Sequence, residues 1–216
     1  MMITAIFILA SVVAIATQQQ VLFLQQQQNA YADNNSNKFK TVCFEGKVDV
    51  VHNSDVFGNG IDGTAINVND TMTGHITYNL YSTTVIHKDH VRAVYIMNNY
   101  PDEVQLVING IVFLTNPRNP TFGFEVVNNN QPGASDKMIR ITASDIHILP
   151  PFNNTNMIAI DFTSTTNRAA AINDTRLPTT APNLSAWNKS DWRIDNTTNG
   201  GLGGDIHGNF TNIIDC

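Results

Sequence analysis

Apolar and polar residues alternate with a period of two along most of this chain. From Thr41 to Val51, Val42, Phe44, Gly46, Val48 and Val50 fall on one side and Cys43, Glu45, Lys47 and Asp49 on the other. That period is the signature of a half-buried strand. Thr73 to Tyr81 repeats it with Ile76, Tyr78 and Leu80. Val104 to Leu114 reads as a hairpin, because Asn109-Gly110 divides VQLVI from IVFL and that pair accepts the positive φ angles of a type I′ turn. Phe122–Val126, Ile139–Thr142, Ile158–Phe162 and Ile206–Ile214 are further short strands. Asn, Gly, Pro and Ser clusters separate them, and Ser54 to Gly63 is a turn region by composition. Only Lys88 to Met97 and Thr166 to Ile172 suggest a helical turn. The pattern predicts an all-β chain, an antiparallel β-sandwich or jelly roll of eight to ten strands.

The amino terminus follows another pattern. Met1 to Ala16 is weakly polar to apolar throughout, residues 17–28 are Gln-rich around Val21–Leu24, and no charged side chain precedes Asp33. Ala30 and Ala32 place small residues at −3 and −1 of a cut after Ala32, as a signal peptidase requires. The alternative is an uncleaved anchor, since Met1 to Leu24 is long enough to span a bilayer. Either reading puts the rest of the chain outside the cytoplasm. The organisation expected is a signal peptide or anchor over 1–32, a flexible linker over 33–40, and one β domain over 41–216.

Composition agrees with export. Of 216 residues only 14% are charged, against about a quarter in ordinary soluble domains, and Asn, Thr, Ser and Gln supply the missing polarity. Lys+Arg of 12 against Asp+Glu of 18 gives a net charge of −6, which argues against a nucleic-acid binder. The two cysteines, Cys43 and Cys216, are expected to join in an oxidising compartment. In the chain-entropy picture a loop of that length stabilises by about 5 kcal/mol before native strain is subtracted. Eight Asn-x-Ser/Thr sequons occur, at Asn34, Asn69, Asn153, Asn173, Asn183, Asn188, Asn196 and Asn209. They mark candidate glycosylation sites on surface loops, although Asn-rich turns also generate sequons by themselves.

Each patch of candidate chemistry has a plainer reading beside it. His87-Lys88-Asp89-His90 is the densest ionisable cluster and reads better as a surface loop than as a metal site, because a strand points the two imidazoles to opposite faces. His52, His75, His147 and His207 are scattered and expected to face solvent. Asp55, Asn59 and Asp62 lie in a Gly-rich loop, a weak calcium candidate that lacks the DxDxDG spacing and needs Asp70 to return to it. No GxSxG occurs, and Gly133–Asp136 reads as a turn. With only three glutamates, Glu45, Glu103 and Glu125, a paired-carboxylate hydrolase must recruit Asp. Phe57, Tyr81, Tyr95, Tyr100, Trp187 and Trp192 are candidates for a sugar-stacking platform. Trp187 and Trp192, five apart in a Pro- and Asn-rich stretch, either form that platform or plug the end of the core.

Phe44-Glu45-Gly46-Lys47-Val48, followed by Asn69-Asp70-Thr71-Met72-Thr73-Gly74-His75-Ile76-Thr77-Tyr78-Asn79, resembles the opening of an uncharacterised extracellular β-sandwich domain common among PEP-CTERM (exosortase-sorted) secreted proteins. The resemblance continues through Val126–Asn130, Ile158–Phe162, Leu177–Ser185 and Gly208–Ile213, and so covers about 41 to 214. It implies a sandwich and an extracytoplasmic setting, and it transfers no catalytic residue. The Pro-Glu-Pro sorting segment is not found after Ile213, so sorting by that route is not expected, and Cys216 is not part of the shared pattern.

The expected function is therefore that of an exported, non-catalytic domain in cell-surface or matrix association. Its partner is a glycan or protein, with no cofactor, no catalytic residues and no nucleic acid. Contact with a membrane would come only through the N-terminal segment. The alternatives are a carbohydrate-binding module built on exposed aromatics and a secreted hydrolase with an Asp/His cleft.

Overall fold

The computed structural model describes residues 38–53, 57, 65–81, 84–99, 101–116, 121–129, 137–149, 156–164, 172, 174–196 and 203–216. Twelve strands are present among them: β1 Phe39–His52, β2 Thr71–Asn79, β3 Val85–Lys88, β4 Arg92–Met97, β5 Glu103–Ile108, β6 Ile111–Thr115, β7 Phe122–Asn128, β8 Lys137–Ala143, β9 Ile146–Leu149, β10 Asn156–Ser164, β11 Lys189–Asn196 and β12 Gly204–Asp215. The alternation becomes burial: Val42, Phe44 and Val48 on β1, Val104, Leu106 and Ile108 on β5, and Phe122, Phe124 and Val126 on β7 all point inward. Asn109 and Gly110 take φ of 49° and 75° between β5 and β6, as a type I′ hairpin demands.

All pairings are antiparallel, and the strands bond in one continuous order, β3-β4-β7-β8-β10-β11-β12-β1-β2-β5-β6-β9. The all-β antiparallel class is as expected, with a single sheet in place of two separate ones. Connectivity forces this sheet to curl. β8 is fourth in the order and β9 twelfth, yet only Ser144 and Asp145 join them. Eight flat strand spacings would span about 38 Å, whereas a two-residue link reaches roughly 10 Å. The halves β3–β11 and β12–β9 therefore face each other. Tyr78 of β2 meets Phe124 of β7 with ring centroids 5.0 Å apart, and Phe162 of β10 stacks on Phe210 of β12 at 5.4 Å.

The seam between the halves is where β1, β11 and β12 meet. Trp192 on β11, 1% exposed, lies opposite Gly208 of β12 and beneath Gly46 of β1. A Cβ on Gly208 would stand 1.8 Å from the Lys47 carbonyl oxygen and 2.9 Å from the indole, and a Cβ on Gly46 would stand 2.7 Å from the indole nitrogen. Glycine at both positions lets two strands cross closely over one large ring. The β1–β12 register shifts between Glu45 and Gly46 and between Val48 and Val50, which bends both strands around the core. Cys43 and Cys216 are disulfide-bonded at a Cα separation of 5.8 Å, and the Cys216 amide donates to the Thr41 carbonyl. Cys43 alternates with buried Val42 and Phe44, so the bridge lies on the outer face.

Two sequence expectations change, and one lies outside the described residues. Lys88 to Met97 is not a helical turn: β3 ends at Lys88, and Arg92–Met97 forms β4, with Ala93, Tyr95 and Met97 buried. Its other face, Val94 and Ile96, is also apolar, so no alternation was visible there. β9 and β11 add two further strands, and β11 escaped notice because Lys189, Ser190, Asp191, Arg193 and Asp195 dilute its apolar signal. Of the second proposed turn, Thr166 to Ile172, only Ile172 is among the described residues.

Two outcomes test the seam. Gly208→Ala should lower the unfolding free energy by about 3 kcal/mol or more, because backbone must move. Gly123→Ala, whose Cβ would meet nothing nearer than 3.9 Å, should be neutral or slightly stabilising; urea midpoints of the two variants check the contrast. Cys43→Ser/Cys216→Ser should cost about 3–5 kcal/mol by the same measurement, since the freed chain recovers the entropy of a very long loop.

Candidate functional site

Between β10 and β11 the chain crosses one end of the curled sheet as a strap. Pro178 and Pro182 carry no amide hydrogen, so this stretch cannot serve as an interior strand. Its apolar side chains turn inward instead, and Leu177, Ala186 and Trp187 are buried. A short 3₁₀ turn, Leu184–Ala186, closes it, with the Asn183 Oδ1 accepting from the Ser185 amide at 3.1 Å.

The core holds this strap through hydroxyls. The Tyr78 hydroxyl donates to the Pro178 carbonyl at 2.7 Å, and the Tyr95 hydroxyl donates to the Thr175 carbonyl at 2.9 Å. The buried Lys137 ammonium donates to the Ile172 carbonyl at 2.6 Å, and the Ala181 amide donates to Asp215 Oδ1 at 2.5 Å. Burial raises the pKa of both phenols, with the Asp215 charge adding to the effect at Tyr78 and the Asp174 charge at Tyr95. Neutral phenols are what the strap requires, since only the protonated hydroxyl donates.

A groove of about 730 Å³ runs along the outer side of the strap. It is lined by Leu80, Tyr81, Val85 and Lys88 together with Asp174, Arg176 and residues 179–183. Tyr81 is 67% exposed, and its amide donates to Asn79 Oδ1 at 2.9 Å. Arg176 approaches Asp174 Oδ2 with Nε at 2.6 Å and Nη2 at 2.5 Å. That pairing, with the field of Lys88, holds the Asp174 carboxyl below the usual range. A carboxylate so held is a poor proton donor at neutral pH. A smaller depression of about 440 Å³ lies on the far side of the strap, against Asn212–Asp215.

The structure revises the proposed sites. Trp187 is 6% exposed and lies 5.8 Å, centroid to centroid, from Phe162, while Trp192 fills the glycine-lined seam. Neither indole offers a face to a sugar, so the platform proposed on them is not there; both fill the core. The plug alternative accounts for why large aromatics occur in so polar a segment. Asn196 is 2% exposed on β11 and leaves no room for a glycan in the folded state. Asn69, Asn183, Asn188 and Asn209 are exposed, and Asn34, Asn153 and Asn173 lie outside the described residues. Asp55, Asn59 and Asp62 also lie outside them.

His87, Lys88, Asp89 and His90 are exposed, and Asp89 Oδ1 accepts from the Val91 and Arg92 amides, so this acid builds the turn between β3 and β4. His52 and His207 flank Asp205 at 2.7 and 3.6 Å, and His75 is half-buried against Glu103 at 2.6 Å. Among the described residues no group of three His, Cys, Asp or Glu is arranged to hold a metal. The groove pair Asp174 and Arg176 was not singled out from the sequence. Its only local signal is the Asp-x-Arg spacing just before Leu177-Pro178, which is too common to be specific.

The raised phenol pKa values carry a sign. Their contribution to stability is complete below the unfolded tyrosine value near 10 and is lost as pH rises through the higher folded values. Alkaline titration followed by tyrosinate absorbance should therefore show Tyr78 and Tyr95 ionising only as the strap detaches. Ionisation of Tyr78 and Tyr95 with the fold intact would contradict this anchoring.

Compared with known protein families, curated proteins and solved structures, the chain matches none.

Proposed function

We propose that this chain is an exported, non-catalytic domain that works in cell-surface or matrix association, contacting a glycan or a protein without a cofactor. The observation that carries the reading is the Cys43–Cys216 bridge on the outer face. A partly exposed disulfide of this kind persists in oxidising compartments and is rare in a reducing cytosol. The apolar stretch before Ala32 and the resemblance to secreted β-sandwich domains of PEP-CTERM proteins support the same setting. Four exposed sequons and a surface poor in charge are consistent with it.

A binding role is favoured over a hydrolytic one by the chemistry of the groove. Its described lining contains one carboxylate, Asp174, and that group is already engaged by Arg176. A hydrolase needs a second acid or a free base at working distance from the first.

Expression of the full chain in an exporting host tests the reading. The expected product lies outside the cytoplasm, begins at Asp33 or retains the anchor, and gains two thiols only on reduction. A folded chain retained in the cytoplasm with both thiols free would overturn it.

A further inference from the structure

We propose that the groove beside the strap binds a sugar carrying a carboxylate, of the uronic-acid type. This rests on the reading of the domain as an extracytoplasmic association module and names its ligand class. The first argument is shape. A concavity of about 730 Å³ lies within the range of about 300–1,000 Å³ that holds small ligands.

The second argument is the exposed ring. Tyr81 is 67% exposed, the most exposed large apolar side chain among the described residues. Its position at the groove wall is set by the turn bond to Asn79. An aromatic face presented beside hydroxyl- and amide-bearing residues suits the apolar face of a pyranose ring. Thr179, Thr180 and Asn183 are exposed and also line the groove. Because Asn183 Oδ1 is taken by Ser185, its amide hydrogens are the part left for a sugar hydroxyl.

The third argument is charge. The chain carries −6 overall, yet the groove's charged lining is Lys88, Arg176 and Asp174, locally one positive charge in excess. Asp174 takes Nε and Nη2 of Arg176, which fixes the guanidinium plane and leaves Nη1 to approach a ligand carboxylate. A single carboxylate per ring matches this excess.

The strap supplies preorganisation. Pro178 and Pro182 limit its backbone, and two buried tyrosine hydroxyls fix it from below, so ligand binding has little ordering left to do.

The disulfide-bonded exported protein should be titrated with an oligogalacturonate and with a neutral galacto-oligosaccharide of equal length, by calorimetry and by NMR shift mapping. Tyr81→Ala and Arg176→Gln serve as variants; both side chains are exposed, and unchanged fluorescence of buried Trp187 and Trp192 verifies their fold. The expected result is saturable oligogalacturonate binding, with shifts at the groove, about tenfold stronger than the neutral sugar and about tenfold weakened by either substitution. Absence of binding, equal binding of the neutral sugar, or affinity indifferent to both substitutions would overturn the proposal. If oligogalacturonate fails while the exported protein still associates with the cell surface, only the ligand class falls. If the chain stays in the cytoplasm, the association reading falls with it.

Discussion

The close crossing of β1 and β12 over Trp192 is the constraint on which the rest of the structure depends. These strands are the first and last of the described fold, and β12 also pairs with β11, which joins the two halves of the sheet. Gly46 and Gly208 permit the approach, the indole fills what they leave, and the disulfide ties Cys43 on β1 to Cys216 just past the end of β12. Without this seam the facing layers keep only their core contacts, such as Tyr78 with Phe124, and lose their hinge. The closing contact is also among the longest in sequence, which makes its loop-closure entropy large and gives the covalent bridge its leverage.

Once the sheet curls, its end must be covered, and the strap follows from that need. A polar, proline-rich segment cannot extend a sheet, but it can lay Leu177, Ala186 and Trp187 over an open core. Buried backbone carbonyls then require donors, which Tyr78 and Tyr95 supply. The groove runs beside this cover. Its chemistry comes from the residues that happen to stand at the rim: Tyr81 on the β2–β3 turn, Lys88 at the end of β3, and the Asp174–Arg176 pair on the strap.

Legibility in the sequence varied with burial on two faces. Where one face is polar, as along Val42 to Val48 or Ile158 to Phe162, alternation marked the strand directly. Asn109-Gly110 marked its turn, because few residues other than Asn and Gly accept positive φ twice in succession. β4 carries apolar residues on both faces and so lost its period, while β11 buries Trp192 and Ile194 among residues that read as a loop. The cysteine pair was legible from number and the expected compartment alone. The site was much less so: Tyr81 was one of several exposed-aromatic candidates, and the two tryptophans that drew attention are core. Asn196 satisfies a sequon, but burial is a property of its neighbours across the sheet, which a three-residue pattern does not contain.

The sequence by itself determined the all-β class, most strand positions, the tightest hairpin and the partner of each cysteine. These follow from local periodicity, turn stereochemistry and the redox chemistry of a single pair. Tertiary structure decided that twelve strands form one curled sheet, that Gly46 and Gly208 are required by a ring distant in sequence, and that a Pro-rich linker becomes a lid with a groove beside it. The physical reason is range. Periodicity and φ preference act over a few residues, whereas curl, burial of Trp192 and the meeting of Tyr81 with Arg176 depend on which distant strands share a face.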